Sequence, residues 1–112
     1  GIRNCLTGME NIEITDISWT RGSYESLESP IVEASAQAAG HVVDERVHRR
    51  SATGGGDAKV LRHNDIPTVE FGFGTQTAHG TDEYTTTEAL VRNAISYGTL
   101  PVLYEQLTSV NR

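Results

Sequence analysis

The longest periodic pattern in this sequence is helical and runs from Thr85 towards Val110, with apolar residues returning at helical spacing. Glu88 follows Thr85 by three residues, which is a capping-box spacing and predicts that the helix starts there. Pro101 lies inside the pattern, after Gly98, so we expect either a kink or two consecutive helices at that point. Any fold for this chain has to accommodate this segment.

Shorter helical and strand-like segments precede it. Ser29-Pro30 is a helix-start signal and predicts a helix over Pro30–Ala39 that stops at Gly40. A second, short helix is expected directly after Asp57. Strand-like patterns occupy Asn11–Thr20, Val47–Ser51 and Thr68–Phe71.

This alternation predicts an α/β layer structure. The strand-like segment at 11–20 has no partner before it in the sequence. Because a lone strand leaves its backbone groups unpaired, we expect it to pair with something outside the chain. The pattern therefore predicts that the chain is part of a larger protein.

The charge balance restricts the class of partner. The 112 residues contain 15 Asp and Glu against 9 Lys and Arg, which gives a net charge of -6. A generic nucleic-acid binder would need a basic patch, and no apolar run is long enough to span a membrane, so neither partner is expected. Lys59 is the sole lysine, and this acidic, lysine-poor composition indicates either a salt-tolerant (halophilic) cytoplasmic protein or a codon bias towards Arg.

The first candidate binding site is the glycine loop, residues 53–57, with the sequence Thr53-Gly54-Gly55-Gly56-Asp57. Successive backbone N–H groups in such a loop favour an anion. The Lys-Ser/Thr pair of a nucleotide-phosphate loop is missing, so a carboxylate-bearing ligand fits better than a triphosphate. The competing interpretation is a tight turn that needs glycine for its backbone angles.

His79 is the second candidate, in a Gly/Thr loop with Asp82 and Glu83 close behind it. Either acidic residue could orient an imidazole or bind the same ion. One histidine does not make a metal site, because zinc takes three or four protein ligands. On chemistry alone His79 is therefore either one ligand of a site or a surface or capping residue.

Three motifs in order resemble a known family. They are the segment from Thr53 to Lys59, the segment Asp65-Ile66-Pro67-Thr68-Val69-Glu70-Phe71-Gly72, and the segment from Ala78 to Tyr84. Together they are similar to the C-terminal part of the M20 metallopeptidase family, which includes succinyl-diaminopimelate desuccinylase and acetylornithine deacetylase. Gly56 stands where the family commonly has Thr or Ser, and Lys59 where it usually has Arg.

The resemblance implies an architecture. Residues 1–22 would be the end of a lid or dimerisation domain, and residues 23–112 the C-terminal part of a three-layer α/β catalytic domain. A homo-oligomer, most simply a dimer, is expected, together with the rest of the same enzyme as a partner.

The resemblance also implies an activity. The family uses two divalent metal ions, usually zinc, with cobalt or manganese as alternatives, to hydrolyse an N-acyl or peptide bond. His79 matches the last metal ligand and Thr53–Asp57 the segment that holds the substrate's carboxylate. The catalytic base and the other ligands match no segment here, so the chain alone is expected to be inactive. The alternative is a stand-alone, non-catalytic α/β module for binding or dimerisation.

Overall fold

The computed structural model describes residues 2–13, 15, 18–51 and 55–109. These residues form the α-helices α1 (Ile2–Leu6), α2 (Pro30–Gly40), α3 (Ala58–Arg62) and α4 (Thr87–Ser109), in that order. No β-strand occurs within the described ranges. The prediction of an α/β fragment with an N-terminal strand is therefore wrong for this part of the chain.

The prediction of a strand at 68–71 is wrong, because side chains and not a neighbouring strand form the hydrogen bonds of the backbone there. The side-chain amide of Asn93 donates to the carbonyl of Phe73 at 2.9 Å and accepts the N–H of the same residue at 2.7 Å. The hydroxyl of Tyr97 donates to the carbonyl of Phe71. Side chains of α4 thus take the place that a neighbouring strand would occupy, so the alternating sequence gives no sheet ladder.

A second set of side chains ties this segment to the connection before α2. The Glu25 carboxylate accepts the N–H of Thr68 at 3.0 Å, and Arg62 Nε donates to the carbonyl of Thr68 at 2.8 Å. Arg62 also reaches the hydroxyl of Ser23 at 3.4 Å. The polar stretch 21–29, expected as a plain connection, is therefore bonded to the far end of α3.

The strands expected at 11–20 and 47–51 are also absent from the described residues, and Ile14, Asp16 and Ile17 lie outside them. Asn11 has a φ of 67°, a left-handed turn at the start of the first segment. Trp19 is 80% exposed, so no half-buried face forms there. An alternating sequence becomes a strand only where a partner pairs with its backbone, and none does so here.

The helix predictions are confirmed in position and corrected in detail. The helix expected over 30–39 runs to Gly40, but the hydroxyl of Ser29 makes no capping hydrogen bond. In α4 the hydroxyl of Thr86, not that of Thr85, accepts the N–H of Ala89 at 3.1 Å. The helix continues through Pro101 as one element, so the predicted alternative of two consecutive helices is wrong.

The core lies between α2 and α4 and is built from small side chains. Ala34, Ala38 and Ser96 are fully buried, and Val32 and Ala89 are nearly so. The hydroxyl of Ser96 donates to the carbonyl of Ala38 at 3.3 Å across the interface. Small residues let the two helix backbones approach closely, but they bury little area.

The chain accordingly exposes much surface. Its accessible area is 9265 Å², whereas a folded monomer of 12.2 kDa is expected to expose about 6,100 Å². Part of the excess is the outer face of α4, formed by Val91, Ile95 and Val102, which are 48–57% exposed. No helix in the described ranges is long and apolar enough to cross a membrane.

Candidate functional site

A cavity of about 680 Å³ lies beside the part of the glycine loop that the structure describes. The connection before α2, one side of α2, residues 47–51, α3 and residues 69–72 enclose it. Gly55 and Gly56 contribute to its wall, whereas Thr53 and Gly54, also predicted for this site, lie outside the described residues. The volume falls in the range of about 300–1,000 Å³ that is typical of small-molecule sites.

The cavity wall carries more cationic than anionic side chains, but two of the cations are already engaged. Arg49 pairs with Glu33 and donates to the carbonyl of Leu27 at 3.1 Å. Arg62 holds Thr68 and Ser23, as described above. These two side chains position the wall and are not free for a ligand.

Lys59 and Arg50 are the cations on this wall that make no hydrogen bond and no ion pair with the described residues. Lys59 Nζ lies 3.9 Å from the position that a Cβ on Gly55 would occupy, so its ammonium stands at the glycine loop. The backbone N–H groups of Gly55 and Gly56 donate to no described acceptor. An ammonium beside free N–H groups is a chemistry that accepts a carboxylate.

The same loop holds an anionic neighbour. A Cβ built on Gly56 would lie 1.9 Å from Glu70 Oε1, so the Glu70 carboxylate packs directly against the Gly56 backbone. Neither Gly55 nor Gly56 has a positive φ, and the tight-turn interpretation is therefore wrong for these two residues. Gly56 provides space, because the carboxylate fills the volume that a side chain would need.

Asp57, the last residue predicted for this loop, precedes α3 as its N-cap residue. Its carboxylate is exposed and makes no capping hydrogen bond. Asp57 does not line the cavity. The structure therefore brings Gly55, Gly56 and Lys59 together and leaves Asp57 outside the group.

The His79 loop, residues 75–84, closes through hydrogen bonds of its own. Thr77 Oγ1 accepts the N–H of Tyr84 at 3.2 Å, and the N–H of Gly80 reaches the carbonyl of Thr77 at 2.9 Å. Thr75 and Thr77 both place their hydroxyls within hydrogen-bond distance of the Tyr84 carbonyl, at 2.5 and 3.2 Å. The two ends of the loop are thereby fixed to each other.

His79 lies at the exposed tip of this loop with a φ of 64°, in the left-handed region. Its backbone N–H donates to Glu83 Oε2 at 3.0 Å. Its imidazole makes no hydrogen bond with the described residues. The predicted role of Glu83 as a partner of the imidazole is thus replaced by a contact with the backbone of the same histidine.

The residues described here do not build a metal centre by themselves. No group of three or more His, Cys, Asp or Glu side chains that could hold a metal ion occurs among them. His79 offers one free imidazole, and Asp82 beside it has a left-handed φ of 57°. The arrangement fits a single ligand and no more.

Sequence reasoning missed two of the residues that shape the cavity. Glu70 was part of a motif, but no local pattern indicated that its carboxylate would pack on Gly56. Lys59 was noted as a departure from the family's usual Arg, and that unusual residue was the available signal. The contact of Glu70 with Gly56 joins residues fourteen positions apart, which only the folded chain brings together.

Comparison with known proteins gives one match. The family model described as Peptidase family M20/M25/M40 matches residues 5–100, a range that includes the glycine loop and His79. A comparison with curated proteins and another with solved structures each found no significant match.

Proposed function

This chain belongs to peptidase family M20/M25/M40, a family of hydrolases that are generally metal-dependent. On that premise we propose what the chain contributes to a hydrolysis reaction. The chain binds the free carboxylate of a substrate whose N-acyl or peptide bond is hydrolysed. Its substrate class is an N-acetyl- or N-succinyl-amino acid, as in the deacetylase and desuccinylase group that the motifs resemble. The metal pair is zinc, with cobalt or manganese as substitutes.

The observation that carries this proposal is the ammonium of Lys59, which pairs with no described residue and lies beside Gly55. A carboxylate placed between Lys59 Nζ and the N–H groups of Gly55 and Gly56 would form charge-assisted hydrogen bonds. The Glu70 carboxylate lies against Gly56 and would repel a second anion at that end. The substrate carboxylate therefore binds on the Gly55 side of the loop.

His79 would contribute one ligand to the metal centre, and the described residues form no cluster that would supply the others. In such a centre the metal ions would supply an activated water for attack on the amide carbonyl. Lys59 and the glycine loop hold the carboxylate end of the substrate and so fix how far its acyl bond extends from the cavity.

Carboxylate binding is testable on the chain itself. An N-acetyl-amino acid, titrated into labelled protein, is expected to shift the amide resonances of Gly55, Gly56 and Lys59 with saturation, whereas its methyl ester is not. Lys59→Gln should weaken binding of the acid by at least about tenfold, since a charge-assisted hydrogen bond contributes about 1.5–3 kcal/mol and about 1.4 kcal/mol is a factor of ten. Arg50→Gln, which removes the other free cation of the wall, is the matched control and should have a smaller effect.

Equal shifts from acid and ester, or an unchanged affinity in Lys59→Gln, would contradict the assignment of the carboxylate site. The same titration with the N-succinyl compound compares the two acyl groups. We expect no hydrolysis of either compound by the isolated chain in the presence of Zn²⁺, because the described residues hold no metal cluster. Turnover by the isolated chain would show that the catalytic groups had been misassigned.

A further inference from the structure

The left-handed backbone of His79 requires an explanation. Non-glycine residues rarely adopt a positive φ, because the side chain then crowds the following carbonyl. His79 has a φ of 64°, and Asp82, three residues later, has a φ of 57°. Two such residues in one short loop persist only where surrounding interactions hold them.

Glu83 is the side chain that meets this need. Its Oε2 accepts the backbone N–H of His79 at 3.0 Å, so a carboxylate four residues ahead closes a ring around the tip of the loop. The hydrogen bonds that Thr75 and Thr77 make with Tyr84 lie at the base of the loop. At the tip, the N–H of Gly80 donates to the carbonyl of Thr77 and closes a four-residue turn with His79 as its third residue, a position that takes a positive φ in a type II turn. Within that turn, the bond from Glu83 is the side-chain contact to the His79 backbone itself.

The contact also determines what the imidazole is free to do. A carboxylate next to a histidine ordinarily bonds to the ring and fixes its tautomer. Here the Glu83 oxygen is taken by the backbone, and the ring nitrogens of His79 have no partner among the described residues. Glu83 therefore holds the backbone of His79, while both ring nitrogens of the histidine stay available to a ligand.

We propose that Glu83 is a positioning residue, which holds the His79 backbone in its left-handed conformation and so presents an unencumbered imidazole at the loop tip. The importance of that presentation rests on the proposed function, in which His79 is a metal ligand. The backbone contact itself is a property of the chain alone and is tested without metal.

The test compares three variants of the 112-residue chain by nuclear magnetic resonance. Glu83→Ala removes both the charge and the acceptor, Glu83→Gln removes the charge but keeps an acceptor oxygen, and Asp82→Asn removes the neighbouring charge while retaining a residue that tolerates positive φ. Two signals report on His79: the exchange rate of its amide proton, and the strong intraresidue NOE between the amide and α protons that a left-handed residue shows.

In Glu83→Ala the His79 amide is expected to exchange about five- to tenfold faster, the factor set by one ordinary hydrogen bond. The intraresidue NOE should weaken at the same time. Glu83→Gln should restore both signals, and Asp82→Asn should leave them as in the wild type. Unchanged signals in Glu83→Ala, or equal changes in Asp82→Asn, would overturn the proposal.

The proposed function is read separately from the titration of the wild-type chain with an N-acetyl-amino acid, followed at the amides of Gly55 and Lys59. If these amides do not respond while Glu83→Ala still loses the His79 amide signals, the proposed carboxylate site fails and the positioning role of Glu83 stands. If they respond while Glu83→Ala is silent, the opposite holds.

Discussion

Replacing Ser96 by alanine is expected to destabilise the chain, because it leaves the buried carbonyl of Ala38 without a hydrogen-bond donor. Ala38 lies in the last turn of α2, where helix carbonyls lose their backbone donors. The N–H of Val42, which would bond to Ala38 if the helix continued, is 3.1 Å from the carbonyl of Ala39 instead. The hydroxyl of Ser96, at 3.3 Å, is therefore the donor that satisfies the Ala38 carbonyl, and both residues are fully buried.

The size of the effect follows from two opposing contributions. A buried acceptor left without a donor costs about 1–3 kcal/mol. Alanine has the higher helix propensity, which returns about 0.5 kcal/mol in α4. Ser96→Ala should therefore lower the free energy of unfolding by about 0.5–2.5 kcal/mol, a large fraction of the stability of a chain with so small a core.

Ser35 in α2 provides a matched control with the opposite sign. It is 5% exposed, and its hydroxyl has no hydrogen-bond partner among the described residues. Ser35→Ala removes an unsatisfied buried hydroxyl and gains helix propensity, so it should raise the free energy of unfolding by about 0.5–1.5 kcal/mol. Both variants delete the same atom from a buried helical position, although Ser35 lies on the side of α2 that lines the cavity and Ser96 lies against Ala38.

Urea denaturation followed by far-ultraviolet circular dichroism measures both variants against the wild type. The midpoints should move in opposite directions while the slopes stay equal, because the surface exposed on unfolding hardly changes. If both variants lower stability equally, burial of the hydroxyl alone matters, and the bond between Ser96 and Ala38 contributes nothing. A neutral Ser96→Ala variant would refute the reasoning directly.

Two further outcomes are expected. The hydrogen bond from Gln37 and the ion pair with Arg49 hold the pKa of Glu33 below its usual value, so the stabilisation they provide is complete above the ordinary Glu pKa of about 4.3 and is lost as the pH falls through the lowered folded value. The stability difference between wild type and Glu33→Gln, measured by urea denaturation, should shrink as the pH falls from 7 to 3, and a pH-independent difference would contradict the assignment. The chain is expected to self-associate through the outer face of α4, because Val91, Ile95 and Val102 are exposed there and open apolar surface favours association. Light scattering after size exclusion should show a dimer that Ile95→Glu dissociates, and a wild-type monomer at high concentration would disprove it.

The helices were predictable because their signals are local. Ser29-Pro30 and Gly40 mark the two ends of α2 within twelve residues of sequence, and the structure places the helix over Pro30–Gly40. At Pro101 only one of the two predicted alternatives, two consecutive helices, is wrong, since α4 continues through the proline as one element. A proline removes one helix hydrogen bond, and the packing of the remaining turns on α2 outweighs that loss.

The absence of strands from the described residues was not predictable, because strand formation depends on a partner that the sequence does not specify. The alternation around Phe71 and Phe73 is genuine, but Tyr97 and Asn93, on a helix twenty or more residues away, satisfy the backbone there. Nothing in the local pattern distinguishes a neighbouring strand from a helix that carries suitable side chains. The same difficulty explains why Glu70 on Gly56 was not foreseen.

The candidate site depends both on local sequence motifs and on contacts formed in the folded chain. Those contacts change the roles that the motifs suggested for neighbouring residues. Composition and spacing located the glycine loop and His79, since glycine runs and a histidine flanked by acids have definite chemistry. The contacts then reassigned the neighbours: Glu70 fills the space beside Gly56, and Glu83 bonds to the backbone of His79 and not to its ring. In both cases a carboxylate lies against the main chain beside a candidate ligand-binding group, and that group has no partner among the described residues. A sequence motif therefore identifies candidate residues, whereas the atoms that are available to a ligand are known only once the hydrogen bonds of the folded chain are assigned.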